Sequence, residues 1–109
     1  MIEINTENFE SEVIHSESDV LVSFTARWCG FCNNTEKMLA STEHELRDIK
    51  FCAVDIEKNS SLAKKYAVRG VPTTLFFSSG ELKNRKTGAL TKAEVYALAG
   101  RKPLQTADI

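Results

Sequence analysis

Two cysteines three residues apart, in Trp28-Cys29-Gly30-Phe31-Cys32, are the residues of this chain whose type and spacing most directly imply chemistry. Residues i and i+3 share a helix face, so sulfurs at this spacing can meet as a short-loop disulfide. A helix start leaves backbone N–H groups unpaired and gathers positive potential, which favours thiolate over thiol on the first cysteine. Cys29 is therefore the expected nucleophile, and Cys32, one turn deeper, the shielded partner. Thiol–disulfide exchange follows: Cys29 attacks a substrate disulfide, then Cys32 attacks the mixed disulfide and releases reduced substrate. The pair is left oxidised, so an external electron donor must reset it. Trp28 reads either as an aromatic wall against substrates or as packing at a strand end.

The elements around the pair must put it at an exposed edge. Val20-Leu21-Val22-Ser23-Phe24 is a nearly unbroken apolar run, as a parallel strand covered on both faces requires. From about Cys29 to Leu46, Thr35, Met38, Leu39, Thr42 and Leu46 recur at spacings of three or four and make one helical stripe. The pair thus falls at a strand-to-helix junction, on the carboxyl edge of a parallel sheet where open α/β folds expose their sites. Elsewhere strand and helix signals alternate. Ile2 to Ile4 reads as a strand, and Thr6 as the N-cap of a helix carrying Phe9, Val13 and Ile14. Lys50 to Ile56 is a strand, and about Asn59 to Ala67 a helix with Leu62, Ala63, Tyr66 and Ala67 inward, closed by Gly70. Thr73 to Ser78 and Glu81 to Thr87 flank a Ser79-Gly80 hairpin turn, and Thr91 with Glu94 forms a capping box opening a last helix that ends near Gly100. The class is α/β, one domain over residues 1–100, with 101–109 a polar, frayed tail.

Bulk properties exclude several functions. The 14 basic residues nearly balance the 15 acidic ones, so no field gathers nucleic acid or anionic lipid. No apolar run approaches the roughly 18 residues of a membrane span. The acidic N-terminus lacks a signal-peptide pattern, so the chain is expected in the cytoplasm, working as a monomer. Three cysteines is an odd count for structural bridges in a reducing compartment.

Phe24-Thr25-Ala26-Arg27-Trp28-Cys29-Gly30-Phe31-Cys32 and Val68-Arg69-Gly70-Val71-Pro72-Thr73, with Gly80 and Gly88, resemble the signatures of the thioredoxin family over nearly the whole chain. The resemblance implies a thioredoxin fold, a central mixed sheet of four or five strands flanked by helices on both faces, with a cis Val71–Pro72 peptide facing the sulfurs. It also implies a protein-disulfide reductase without cofactor or metal, acting on disulfide-containing client proteins and reset by a thioredoxin reductase or similar donor. Trp28, Gly30, Phe31, Val71 and Pro72 become candidate substrate-binding residues, Pro72 offering no N–H and Val71 a backbone for an extended segment. Three departures stand out. Phe31 occupies the usual Pro position, which predicts a more oxidising potential because a rigid turn no longer disfavours the reduced dithiol. The family's buried acid falls at Ser23 and its lysine partner at Ala53, which predicts slower resolution of mixed disulfides.

The remaining candidates read as structural. Cys52 suits a buried strand position, and His15 and His44 a solvated surface. A zinc set of Cys29, Cys32, His44 and Cys52 lacks the two-knuckle spacing of structural zinc, and a redox-dead module would have lost a cysteine. Within the enzyme class, a disulfide-forming or isomerising protein is the alternative to a reductase.

Overall fold

A computed structural model describes residues 1–102. Five strands, β1 (Ile2–Ile4), β2 (Asp19–Thr25), β3 (Ile49–Asp55), β4 (Thr73–Ser78) and β5 (Glu81–Thr87), form one mixed sheet in the order β1-β3-β2-β4-β5. The first three run parallel, and β4 and β5 are antiparallel to their neighbours. β2 is central because it is buried on both faces, as its apolar run requires. Alternation along it makes two cores. Val20, Val22 and Phe24 join Cys52, Val54, Leu75 and Phe77 on one face, beneath Phe9 and Val13 of the first helical turn and Leu62 and Ala63 of α2 (Ser60–Lys65). Leu21 joins Phe51 and Phe76 on the other, beneath Leu39 of α1 (Gly30–Glu43) and Val95 and Leu98 of α3 (Lys92–Leu98). Helices therefore cover both faces of a five-stranded mixed sheet, the thioredoxin fold that the resemblance implied.

Local chemistry places the ends. Thr91 and Glu94 form the expected capping box, Glu94 N–H to Thr91 Oγ1 at 3.2 Å and Thr91 N–H to Glu94 Oε1 at 3.0 Å. A Lys86 hydrogen bond, then the Thr91 backbone N–H, hold the Glu94 carboxyl down to about 2. Ser79 and Gly80 both take positive φ, 53° and 78°, as a tight primed hairpin turn demands. A Cβ on Gly80 would lie 2.6 Å from the Ile14 carbonyl oxygen, so only glycine lets the hairpin tuck under the first helical turn.

Four expectations need correction. The first helical segment is a single π-type turn, Glu10–Ile14, and Asn5 and Asn8 rather than Thr6 close the turn leading into it. Asn5 Oδ1 accepts from Glu7 and Asn8 N–H at 2.8 and 2.9 Å, while Asn8 Oδ1 accepts from Asn5 N–H at 2.7 Å. The Thr6 N–H instead donates to Asn59 Oδ1 at 3.2 Å. The 29–46 helix is shorter, its last turn ending at Glu43, although Leu46 still reaches the core. α2 closes at Ala67 (φ 54°), not Gly70, and Ala67 is exposed rather than inward. Val68 N–H reaches the Ala63 carbonyl at 2.8 Å and Ala67 N–H the Lys64 carbonyl at 3.1 Å, the Schellman pattern. α3 closes by the same pattern with Gly100 at the left-handed position. Arg85 steadies the α2 end by donating to the Tyr66 and Ala67 carbonyls at 2.6 and 3.2 Å. Finally, Arg101, read as the start of a loose tail, is tied to Asp19 and Asp48, both at 2.8 Å, and with Ser78 holds the Asp19 carboxyl below the usual carboxylate range. The rest of the expected tail, 103–109, lies outside the described residues.

A left-handed alanine costs about 1–2 kcal/mol, partly offset by the unfolded-state freedom that glycine brings. Ala67→Gly should therefore raise stability by about 0.5–1 kcal/mol, read as a higher urea midpoint at unchanged slope; an unchanged or lower midpoint contradicts this account of the α2 end.

Candidate active site

The site is built where β2 ends and α1 begins. The chain leaves Thr25 and turns so that the Cys29 N–H donates to the Ala26 carbonyl at 3.1 Å, which delivers Cys29 to the N-cap of α1 in extended conformation. Its sulfur does what a serine or aspartate oxygen does at most helix starts: Sγ accepts the Cys32 N–H at 3.1 Å. Cys29 and Cys32 are joined as a disulfide, with Cα atoms 5.3 Å apart. Cys32 is the first buried residue of the α1 stripe, followed by Thr35, Leu39 and Thr42, so the anchor of the pair is also part of the helix's packing face.

Around the sulfurs lies a small apolar cluster of Ala26, Cys29 and Cys32, with Ile56 and Val71 packed against it. Val71 comes from the loop before β4. Its peptide to Pro72 is cis, and its carbonyl oxygen lies 3.8 Å from Cys29 Sγ. Thr73 Oγ1 donates to the Gly70 carbonyl at 2.5 Å and Gly88 N–H to the Pro72 carbonyl at 2.8 Å, bracing that loop against the end of β5. Cys29 is 5% exposed and Cys32 1%, while Trp28 and Phe31 on either side stand 68% and 71% exposed. Gly30 between the cysteines has nothing within 4 Å of where a Cβ would sit. The surface beside the disulfide is therefore an aromatic rim with an open backbone between.

All seven residues singled out from the sequence, Trp28, Cys29, Gly30, Phe31, Cys32, Val71 and Pro72, fall at this one edge of the sheet. Ala26 and Ile56, which complete the apolar cluster, were missed. Ala26 stood inside the quoted block Phe24 to Cys32 without being singled out, whereas Ile56 arrives only through the β2–β3 pairing. The other candidates lie elsewhere. Cys52 sits in β3 within the core on the face away from α1, its thiol pushed up to about 12 by burial. His44 lies twelve residues along from Cys32, about 18 Å by helical rise, and exposed. A zinc set drawn from Cys29, Cys32, His44 and Cys52 cannot converge on one ion.

The thioredoxin family model matches residues 1–100. The chain belongs to the thioredoxin family. A thioredoxin of Acidithiobacillus ferridurans is 37% identical over 95 residues, covering 86% of this chain and 88% of that protein. A thioredoxin of Buchnera aphidicola subsp. Schizaphis graminum is 38% identical over 96 residues, covering 87% and 89%. Human protein disulfide-isomerase A6 is 34% identical over 104 residues, 91% of this chain but 24% of its own length. With the joined cysteine pair at the helix start, this membership makes the protein a thiol–disulfide oxidoreductase acting on disulfide-containing substrates. Among the described residues no helix is long and apolar enough to cross a membrane.

Cys52 is both buried and held as a thiol, so iodoacetamide should leave it unlabelled in the native, reduced protein near neutral pH and label it fully in guanidinium. Mass spectrometry of the Cys52 peptide checks this, and native labelling there would contradict the burial.

Proposed function

We propose that the protein reduces disulfides of client proteins in the cytoplasm, with Cys29 as nucleophile and Cys32 as the resolving cysteine. The observation that carries the assignment is the Cys32 N–H aimed at Cys29 Sγ at 3.1 Å, at the start of a 14-residue helix. Negative charge on that sulfur meets a donor and the positive end of aligned peptide dipoles, so Cys29 is the better attacking and leaving group of the two. Cys32, shielded beneath it, is placed to attack Cys29 once a client sulfur is attached.

Clients dock as an extended segment along Val71. The half-buried Val71 presents its backbone beside Cys29, Pro72 has no N–H to compete, and the bare Gly30 lets a client main chain approach. Trp28 and Phe31 supply apolar contact on either side. Each turnover leaves the pair oxidised, so a thioredoxin reductase or equivalent donor restores it. The other exposed large apolar residues, Met1, Ile2 and Leu82, are scattered or terminal, which suits a monomer. A reducing compartment suits a chain whose third cysteine is a free, buried thiol. Residues 1–100 form the single domain of this reading.

The roles are separable by substitution. Cys29→Ser should abolish reduction of an insulin-type disulfide substrate supplied with a thioredoxin reductase and its reductant. Cys32→Ser should instead accumulate a covalent Cys29–client mixed disulfide, seen as a dithiothreitol-sensitive band. Trapping through Cys32 in the Cys29→Ser variant would reverse the assignment, and wild-type catalysis of disulfide formation without reduction would point to the disulfide-forming alternative.

A further inference from the structure

Two of the buried hydroxyls have a local acceptor. Thr42 Oγ1 donates back to the Met38 carbonyl at 2.8 Å, and Thr73 Oγ1 to Gly70 at 2.5 Å. Ser23 Oγ, Thr35 Oγ1 and Thr74 Oγ1 are different: all three are buried without a protein partner among the described residues, at 1%, 2% and 0% exposure. Thr35 sits in the same helix as Thr42 and could bond one turn back in the same way, but does not. Unpaired buried hydroxyls are costly, so three in one small domain require a reason.

They belong to one place. Ser23 of β2 lies directly opposite Thr74 of β4 and beside Ala53 of β3, all on the α1 face of the sheet. The next row on that face, two residues back along β2, is Phe51, Leu21 and Phe76. A row of large side chains thus gives way to one of small side chains, two of them hydroxylic. α1 runs back over this face, with Cys32 packed at the Ala26 end of β2 and Leu39 in the core with Leu21. Thr35, between them on the buried stripe, therefore covers the small row from above, one turn from Cys32. Small side chains facing one another and three buried hydroxyls without a protein partner suit a bound internal water, which commonly makes about three hydrogen bonds. No Asp, Glu, Lys or His is among the buried residues of this layer or any other described part of the core.

We propose that Ser23, Thr35 and Thr74 hold a water beneath Cys32 that carries away the Cys32 proton when the mixed disulfide is resolved. This rests on the reading of Cys32 as the resolving cysteine. In the step, the Cys32 S–H bond breaks and its proton passes to the water and on to solvent. The Cys32 sulfur bonds to Cys29, the Cys29–client S–S bond breaks, and its electron pair leaves on the client sulfur as a thiolate. Oxidation of the cysteine pair is balanced by reduction of the client disulfide. The three hydroxyl residues are positioning residues acting through the water.

Reduced full-length protein treated with one equivalent of dithiobis(nitrobenzoate) separates the two chemical events, since attack by Cys29 releases the first thionitrobenzoate and resolution by Cys32 the second. Thr35→Val combined with Thr74→Val should slow the second release about tenfold near neutral pH, as expected for losing a weak proton acceptor, and leave the first unchanged. The deficit should close as pH rises and hydroxide takes the proton directly. Thr35→Ser with Thr74→Ser, which keeps both hydroxyls, should restore the second release. A folded valine pair resolving at the wild-type rate, or a serine pair as slow as the valine pair at every pH, overturns the proposal. If the valine pair does not fold, each single valine variant should show a roughly threefold deficit, and wild-type rates in both overturn it as well. A second release that persists in Cys32→Ser would instead sink the assignment of Cys32 itself.

Discussion

The arrangement depends on one contact, the Cys32 N–H donating to Cys29 Sγ. It makes a sulfur the cap of α1, so the residue that starts the helix is also the residue presented at the sheet edge. The same residue spacing puts Cys32 on the buried stripe, where its packing fixes how deep the pair sits. A helix that began one residue earlier or later would keep its length and lose both relations. What holds the start in place is distributed: the apolar, doubly covered β2 delivers the chain to Ala26, and Leu39 locks the helix over Leu21 and Phe51.

From that fixed point the site divides into an outer and an inner side. Outside are the exposed Trp28 and Phe31, the bare Gly30 and the Val71 backbone, all suited to a transient extended partner. Inside, the row beneath Cys32 is made of small side chains, Ser23, Thr74 and Ala53, where the next row on that face is aromatic and aliphatic. The polarity of this inner layer is neutral, with no buried charge to be compensated, so it avoids the cost of an ionised side chain in the core. A hydroxyl-bound water is a weaker proton acceptor than a carboxylate, so speed of resolution is exchanged for a core that needs no ion pair.

Much of this was legible in the residues. The apolar run of β2, the helical stripe after Cys29, the Ser79-Gly80 turn and the Thr91–Glu94 box each specify their element locally, and each element formed, the helix after Cys29 stopping short of Leu46. The cis Val71–Pro72 peptide and its place opposite the sulfurs came only through family resemblance, because no local pattern distinguishes that proline from a loop breaker. Errors arose where tertiary contacts outweighed local preference. Asn59 takes the Thr6 N–H and leaves the first turn to Asn5 and Asn8, while Arg85 supports a left-handed Ala67 where the nearby glycine seemed the natural stop. Thr35 and Thr74 were read as ordinary stripe and strand residues, since their meaning depends on meeting Ser23 across a helix and two strands. Arg101 likewise gained its role only from Asp19 and Asp48, each more than fifty residues away in the chain.

We infer that Cys29 and Cys32 form a reversible two-electron couple, and that Phe31, standing where the family resemblance implies a rigid proline, shifts its tuning. Equilibration of the full chain with glutathione buffers of graded ratio, quenched and scored for the Cys29–Cys32 disulfide, measures that couple directly. A single two-electron transition is expected at a potential more positive than the roughly −270 mV characteristic of thioredoxins. A transition at or below that value would contradict the role given to Phe31, and failure of the pair to titrate reversibly would contradict the redox function itself.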